Sequence, residues 1–236
     1  MSKFCLSFFF LLTSLHIRAQ MSEGVIEYEK KITTKKIIAF NGEIKTLNAP
    51  INLKTKSVLK FNSKVYSYKP SVEQNEDTLL ESDGIKRFIL EKMGEYDQYY
   101  FVLNKREGYK VVGTFYDIYT INNFFIPYTY TVTNDTKKIL GYSCKKATLN
   151  ITTKNALEKI IIWFTTQLPK NMGPEGFRGL EGTILEVNID NNISLTATSV
   201  KASKNQRIIK PNYGTLMTYS AYKKRKQKTK TIKTKK

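Results

Sequence analysis

From Gly24 onward the chain is a succession of short runs rich in β-branched and aromatic residues, each cut off by Asn, Gly, Asp or Pro. Such residues suit a pleated, half-buried surface, and turn signals at that spacing leave little room for long helices. The chain is read as mainly β: a single domain with a curved antiparallel sheet or half-open barrel and one short helix, an α+β arrangement being the alternative. Neighbours in sequence are expected to pair as neighbours in the sheet.

In VIEYEKKI (25–32) Ile26, Tyr28 and Ile32 share one face. Asn41-Gly42 between IIAF and EIKTL supplies the positive backbone angles of a tight hairpin, which poor alternation places at an edge or on a projecting arm. Residues 57–69 read as a strand pair or a long bent strand. The helix candidate is capped by Ser82 or Asp83, carries Ile85, Phe88, Ile89 and Met93 at helical spacing, and ends at Gly94. It is expected on the concave side of the sheet.

In YKVVGTFYDIYTI (109–121) Tyr109, Val111, Phe115, Tyr119 and Ile121 share a face. YTYTV (128–132) leads into a polar turn at NDTKK. In the next strand Tyr142 and Cys144 have one parity while Ala147, Leu149 and Ile151 have the other, which a bulge near Lys145 and Lys146 reconciles. KIIIWFTT (159–166) is apolar on both faces and so should be central in the sheet, with Trp163 in the core. Leu185, Val187 and Ile189 alternate inward, Asp190 to Asn192 turn the chain, and Ile193, Leu195 and Ala197 alternate back.

Residues 1–20 have the build of a secretory signal peptide, with Lys3, an apolar run and a small Ala19 near IRAQ. Its removal leaves 236 − 20 = 216 residues and takes with it His16, the one histidine, and Cys5. Without imidazole, Ser-His-Asp and Cys-His machinery and His-rich metal centres are excluded, and no cofactor is expected. Cys144 is left without a partner for a disulfide and reads as a small apolar residue of the core. No later apolar run reaches membrane length.

The β-rich domain is assigned to 21–222 and a lysine-rich, disordered tail to 223–236. The net charge of +19 falls to +17 without Lys3 and Arg18, and the tail KKRKQKTKTIKTKK carries +9 of it. Such a tail can be drawn to an anionic surface. The abundance of Lys, Asn, Ile and Tyr throughout also fits an AT-rich coding bias. Lysine outnumbers arginine heavily, which argues against sequence-specific recognition of nucleic acid.

The most distinctive segment runs from Lys138 to Val187. Gly141, Tyr142, Cys144, Lys146, Ala147, Trp163, Pro169, Gly173, Pro174, Phe177, Gly179, Leu180 and Gly182 follow one another there in an order and spacing that resembles the GLPGLI family. The namesake hexapeptide reads GLEGTI at 179–184. The resemblance implies an exported, mainly β protein of the periplasm or surface of a two-membraned bacterium, and assigns no catalytic residue. The residues themselves point to structure: Pro174 fixes one turn angle, Gly173, Gly176, Gly179 and Gly182 permit positive angles or close approach, and Phe177 and Leu180 plug the core.

Three functions compete. The first is non-catalytic binding of an apolar or amphipathic ligand, lipid-like, or of an envelope protein, in the concave β surface. The second is a carboxylate-based hydrolase using Asp117, Glu175, Glu181 or Glu186. The third is a surface scaffold or adhesin anchored by the basic tail.

Overall fold

In a computed structural model the protein is described over residues 21–38, 44–71, 97–113, 118–152 and 157–225. Twelve strands follow in chain order: β1 (Gly24–Ile38), β2 (Ile44–Phe61), β3 (Val65–Pro70), β4 (Gln98–Val102), β5 (Gly108–Gly113), β6 (Ile118–Asn122), β7 (Thr131–Ile139), β8 (Tyr142–Thr152), β9 (Leu157–Thr165), β10 (Thr183–Ile189), β11 (Ile193–Ala202) and β12 (Thr215–Thr218). They form one open sheet in the order β12-β6-β5-β4-β3-β2-β1-β11-β10-β9-β8-β7. Two antiparallel meanders, β1 to β6 and β7 to β11, are joined where β1 pairs with β11. The departures from sequence-neighbour pairing are that union and β12, which lies parallel on β6.

Cross-strand neighbours share a face, so the register traces the inner surface. One row runs Ile26, Leu59, Tyr68, Tyr99, Lys110 and Ile121 from β1 to β6. A second runs Lys30, Leu195, Val187, Ile162 and Ala147 from β1 to β8. The apolar members of both rows are buried in one continuous core. On β1 the expected face of Ile26, Tyr28 and Ile32 is buried, and Lys30 is buried with it.

Several local readings are refined. Residues 57–69 are a strand pair, the end of β2 and β3. The pairing of Ile38 with Ile44 makes β1 and β2 a hairpin. β11 accompanies β1 only as far as Ile32 and β3 accompanies β2 only from Ser57, so the rest of the hairpin projects as a two-stranded arm. Asn41-Gly42 and the helix candidate at 82–94 lie outside the described residues. Residues 219–225 are helical, and Tyr219 and Tyr222 of that turn pack on the inner side against Phe124 and Tyr119 at 5.3 and 6.1 Å between centroids.

The 109–121 alternation is not a single face. β5 and β6 fold back on one another, and Val111 and Val112 are both buried because both sides are covered. The expected turn at 134–138 is instead a bulge within β7, where residues 133–135 stand opposite Lys146. The chain reverses at Leu140 and Gly141, whose φ values of 50° and 82° suit a primed two-residue turn. Burial does change phase between Cys144 and Ala147, although the irregularity sits on β7. The β10–β11 hairpin turns at Asp190 and Asn191, as its alternation predicts.

The connection between β9 and β10, residues 166–182, folds back onto the inner face. Met172 accepts from Ile184 at 2.9 Å, Asn171 donates to Leu180 at 3.0 Å, and the Tyr28 hydroxyl donates to the Ile184 carbonyl at 2.7 Å. Leu168, Met172, Phe177 and Leu180 are buried there as plugs. Gly182 makes the return possible, since a Cβ at that position would stand 2.2 Å from the Thr165 carbonyl oxygen. That obstacle is backbone and cannot rotate away. Gly182→Ala is therefore expected to destabilise the protein by roughly 2–4 kcal/mol, read as a lower urea midpoint at unchanged slope.

Candidate functional site

The inner face carries polar groups where the 166–182 loop meets the sheet. Pro174–Gly176 form a single 3₁₀ turn in which Glu175 adopts φ 51° and ψ 27°, a left-handed conformation uncommon for a residue with a side chain. This turn directs the Glu175 carboxylate to the Lys30 ammonium. The Lys30 side chain is 6% exposed and that of Glu175 21%, so the pair is desolvated on one side and reachable on the other.

Tyrosines surround the pair. Burial holds the Tyr68 hydroxyl neutral well above its ordinary range, with the Glu175 carboxylate adding to the effect, and does the same for Tyr99, with Asp97 and Glu175 adding. Tyr128 is pushed up to about 12 by burial, then by Tyr219 and Glu175. Tyr128 also stacks on Phe177 at 5.3 Å. Beside them Lys110 pairs with Asp97 at 2.9 Å and lies 4.9 Å from the Tyr99 ring centre. The helical turn closes this end through Tyr219 and Tyr222. The result is a partly exposed Glu175 carboxylate and a partly exposed Tyr128 ring, backed by the buried rings of Tyr68 and Tyr99 and by two ion pairs.

Arg178 anchors the loop behind this surface. It is 3% exposed, its guanidinium lies 4.6 Å from the Phe101 ring centre, and its Nε donates to Asn171 Oδ1 at 3.1 Å. Its carbonyl accepts from the Tyr130 hydroxyl at 2.8 Å. Tyr128 and Tyr130, expected in a strand, instead belong to the irregular segment before β7 and reach the loop from there.

The carboxylates considered for hydrolysis are not brought together. Glu186 is on the outer face, where it accepts from Lys137 at 2.7 Å beside Trp163. Glu181 is exposed, 3.5 Å from Lys170, and Asp117 lies outside the described residues. Trp163 is half-buried with Lys137 4.5 Å above its ring, so it is an outer-face residue and not core. Cys144 is wholly buried, and burial pushes its thiol up to about 11. No group of three or more possible metal ligands occurs among the described residues.

The glycine and aromatic positions singled out in the sequence have structural places. Gly141 turns β7 into β8, and Tyr142 and Cys144 begin β8. Gly173 and Pro174 enter the 3₁₀ turn, Phe177 and Leu180 fill the core, and Gly179 has φ 103°. The site residues that sequence reasoning missed are Lys30, Tyr68, Tyr99 and Tyr128. Lys30 carried a signal: it occupies the buried parity of VIEYEKKI.

The family described as N-glycanase peptide, N-terminal domain, matches residues 98–223, more than half of the chain. Among solved structures, that of PNGF-II in the P21 space group is similar at 19% identity with a TM-score of 0.53, covering 86% of this chain and 33% of that one. PNGF-II in the C2 space group is 19% identical with a TM-score of 0.49, covering 84% and 32%. The chain thus spans about a third of the length of those structures, and the first likeness bears on the fold alone. No curated protein sequence matches.

The GLPGLI resemblance is overturned by this family match, which includes the whole segment that carried it. The physical reason is that its glycines and aromatics are the turn formers and plugs of a β9–β10 return, a requirement of the fold that does not discriminate between families.

Two outcomes are expected. Lys30→Met leaves the Glu175 carboxylate without its ammonium and should cost about 2–4 kcal/mol, while adding Glu175→Gln should recover most of it; a double-mutant cycle in urea checks this. In the alkaline range the fold favours neutral Tyr28, Tyr66, Tyr68, Tyr99, Tyr128 and Tyr130, all raised above the ordinary 10.0 by burial. The unfolded chain ionises first, so their contribution to stability is full below pH 10 and is lost as pH rises through 12 and beyond. Phenolate absorbance should show these tyrosines titrating only as the protein unfolds.

Proposed function

We infer from the chain's membership of the family of the N-glycanase peptide N-terminal domain, and from the partly exposed Glu175 and Tyr128, that the protein is a non-catalytic module binding a glycan-bearing polypeptide. The observation that carries the reading is the Glu175 carboxylate held by Lys30 among Tyr68, Tyr99 and Tyr128. The partly exposed Tyr128 ring suits the apolar face of a sugar ring, and the fixed Glu175 carboxylate suits its hydroxyls. Lys30 pairs with Glu175 and Lys110 with Asp97, a balance of charge suited to holding a neutral polar ligand.

The apolar-ligand reading has less support, because Leu168, Met172, Phe177 and Leu180 of the chain's own loop fill the inner face. The hydrolase reading needs two carboxyls flanking one bond. Glu175 and Glu186 face opposite sides of the sheet, which favours binding over turnover. Export, expected from residues 1–20, places such a module where glycoproteins are met. No helix among the described residues is long and apolar enough to cross a membrane.

Titration calorimetry with an N-glycosylated peptide and the same peptide without its glycan tests the proposal. The glycosylated form should bind more tightly, and Glu175→Gln or Tyr128→Ala should each weaken it on the order of tenfold. Equal affinity for both peptides would instead indicate recognition of polypeptide alone, and glycan release over the titration would make the module an enzyme.

A further inference from the structure

After Asp190 the sequence has no acidic residue: positions 191–236 hold eleven lysines and two arginines. Part of this stretch is built into the fold. The Asn205 amide donates to Glu23 Oε2 at 2.8 Å, and Lys210 lies 4.2 Å from the Tyr109 ring centre on the outer face of β5. The Thr120 hydroxyl donates to the Tyr213 carbonyl at 2.5 Å, after which β12 adds to β6 as the last strand of the sheet. Residues 203–218 are thereby fastened along one margin of the molecule.

That margin is both basic and apolar. Four of the seven exposed large apolar residues among the described residues are there: Ile118, Ile209, Tyr213 and Leu216, with Ile209 and Leu216 67% and 64% exposed. Lys204, Arg207 and Lys210 are exposed in the same segment, and Lys223 and Lys224 are exposed just beyond β12. Among the described residues the acids at hand are Glu23, Glu107, which lies 3.8 Å from Lys210, and Asp97, which is paired with Lys110, so their balance with these basic residues is positive.

We propose that this margin docks on an anionic lipid bilayer, with the basic residues meeting head groups and Ile209, Tyr213 and Leu216 entering the interface. Charge complementarity and the exposed aliphatic tips together select that partner. Lysine is a point charge on a flexible stem, suited to a fluid layer of head groups. Aliphatic tips interleaved with the charges match the acyl boundary of a bilayer and gain nothing from a phosphodiester backbone. The proposal is independent of the glycan site, which opens on the inner face.

Flotation of the purified full chain with vesicles of phosphatidylcholine containing one third phosphatidylglycerol tests it, with phosphatidylcholine alone as reference. Binding is expected to the anionic vesicles only. Changing Lys204, Arg207 and Lys210 together to Gln should reduce it on the order of a hundredfold, about fivefold per basic residue. Ile209→Ser with Leu216→Ser should reduce it about tenfold, a loss that persists when salt screens the charges. Both sets are at exposed positions, and unchanged circular dichroism confirms folding. Deleting 226–236 should weaken binding while leaving the effect of the serine pair intact. Equal binding to neutral vesicles, or a serine pair that binds like the parent, overturns the proposal. So does a duplex oligonucleotide held more tightly than the vesicles by parent and serine pair alike.

Discussion

A strongly curved sheet has an inner face that its own strands cannot fill, and here residues 166–182 fill it. The loop brings Leu168, Met172, Phe177 and Leu180 into the core and so lets both meanders share one apolar interior. Its backbone polar groups would be costly inside a core, and they are met by partners. Asn171 takes Leu180, Gly179 and Arg178, and the Ile184 carbonyl at its exit takes the Tyr28 hydroxyl. The close pass of Gly182 over Thr165 is the price of that return. Everything on the inner face, including the Glu175 site, stands on this loop.

The strand content was legible in the sequence because period-two burial leaves its mark directly on residue type. The β10–β11 hairpin is the clearest instance: Val187, Leu195 and Ala197 alternate inward and polar Asp190 and Asn191 turn. What failed were places where tertiary contacts override the local pattern. NDTKK looks like a turn by composition, yet the two-residue loop at Leu140 and Gly141 captures the reversal and leaves a bulge behind. Trp163 sits in an apolar run, but the parity of Ile160, Ile162 and Phe164 sends it to the outer face. The union of β1 with β11 joins segments far apart in the chain, and no local signal encodes it.

The site was legible only in part, for the same reason. Glu175 was noticed as an acid beside a turn, where most acids are simply solvated. Its environment comes from four distant elements: β1 supplies Lys30, β3 and β4 supply Tyr68 and Tyr99, and the segment before β7 supplies Tyr128. A charged residue on the buried parity of a strand, as Lys30 is, marks a position whose partner must arrive from elsewhere. The family likeness drawn from glycines and aromatics failed for a related reason, since those residues report the return of the loop rather than descent.

An ion pair such as Lys30 and Glu175 is a poor device for stability alone. Withdrawing both charges from water offsets most of their attraction, and an apolar pair of similar volume would hold the loop about as well. Glu175 adds the cost of a left-handed backbone, on the order of 1 kcal/mol for a residue with a Cβ. A feature that stabilises so little yet fixes a partly exposed carboxylate beside buried tyrosines is consistent with the proposed binding role. The partial exposure of Glu175 beside the near-complete burial of Lys30 gives the pair one working side. Lysine acts as the fixed mount, and the carboxylate is the surface offered outward.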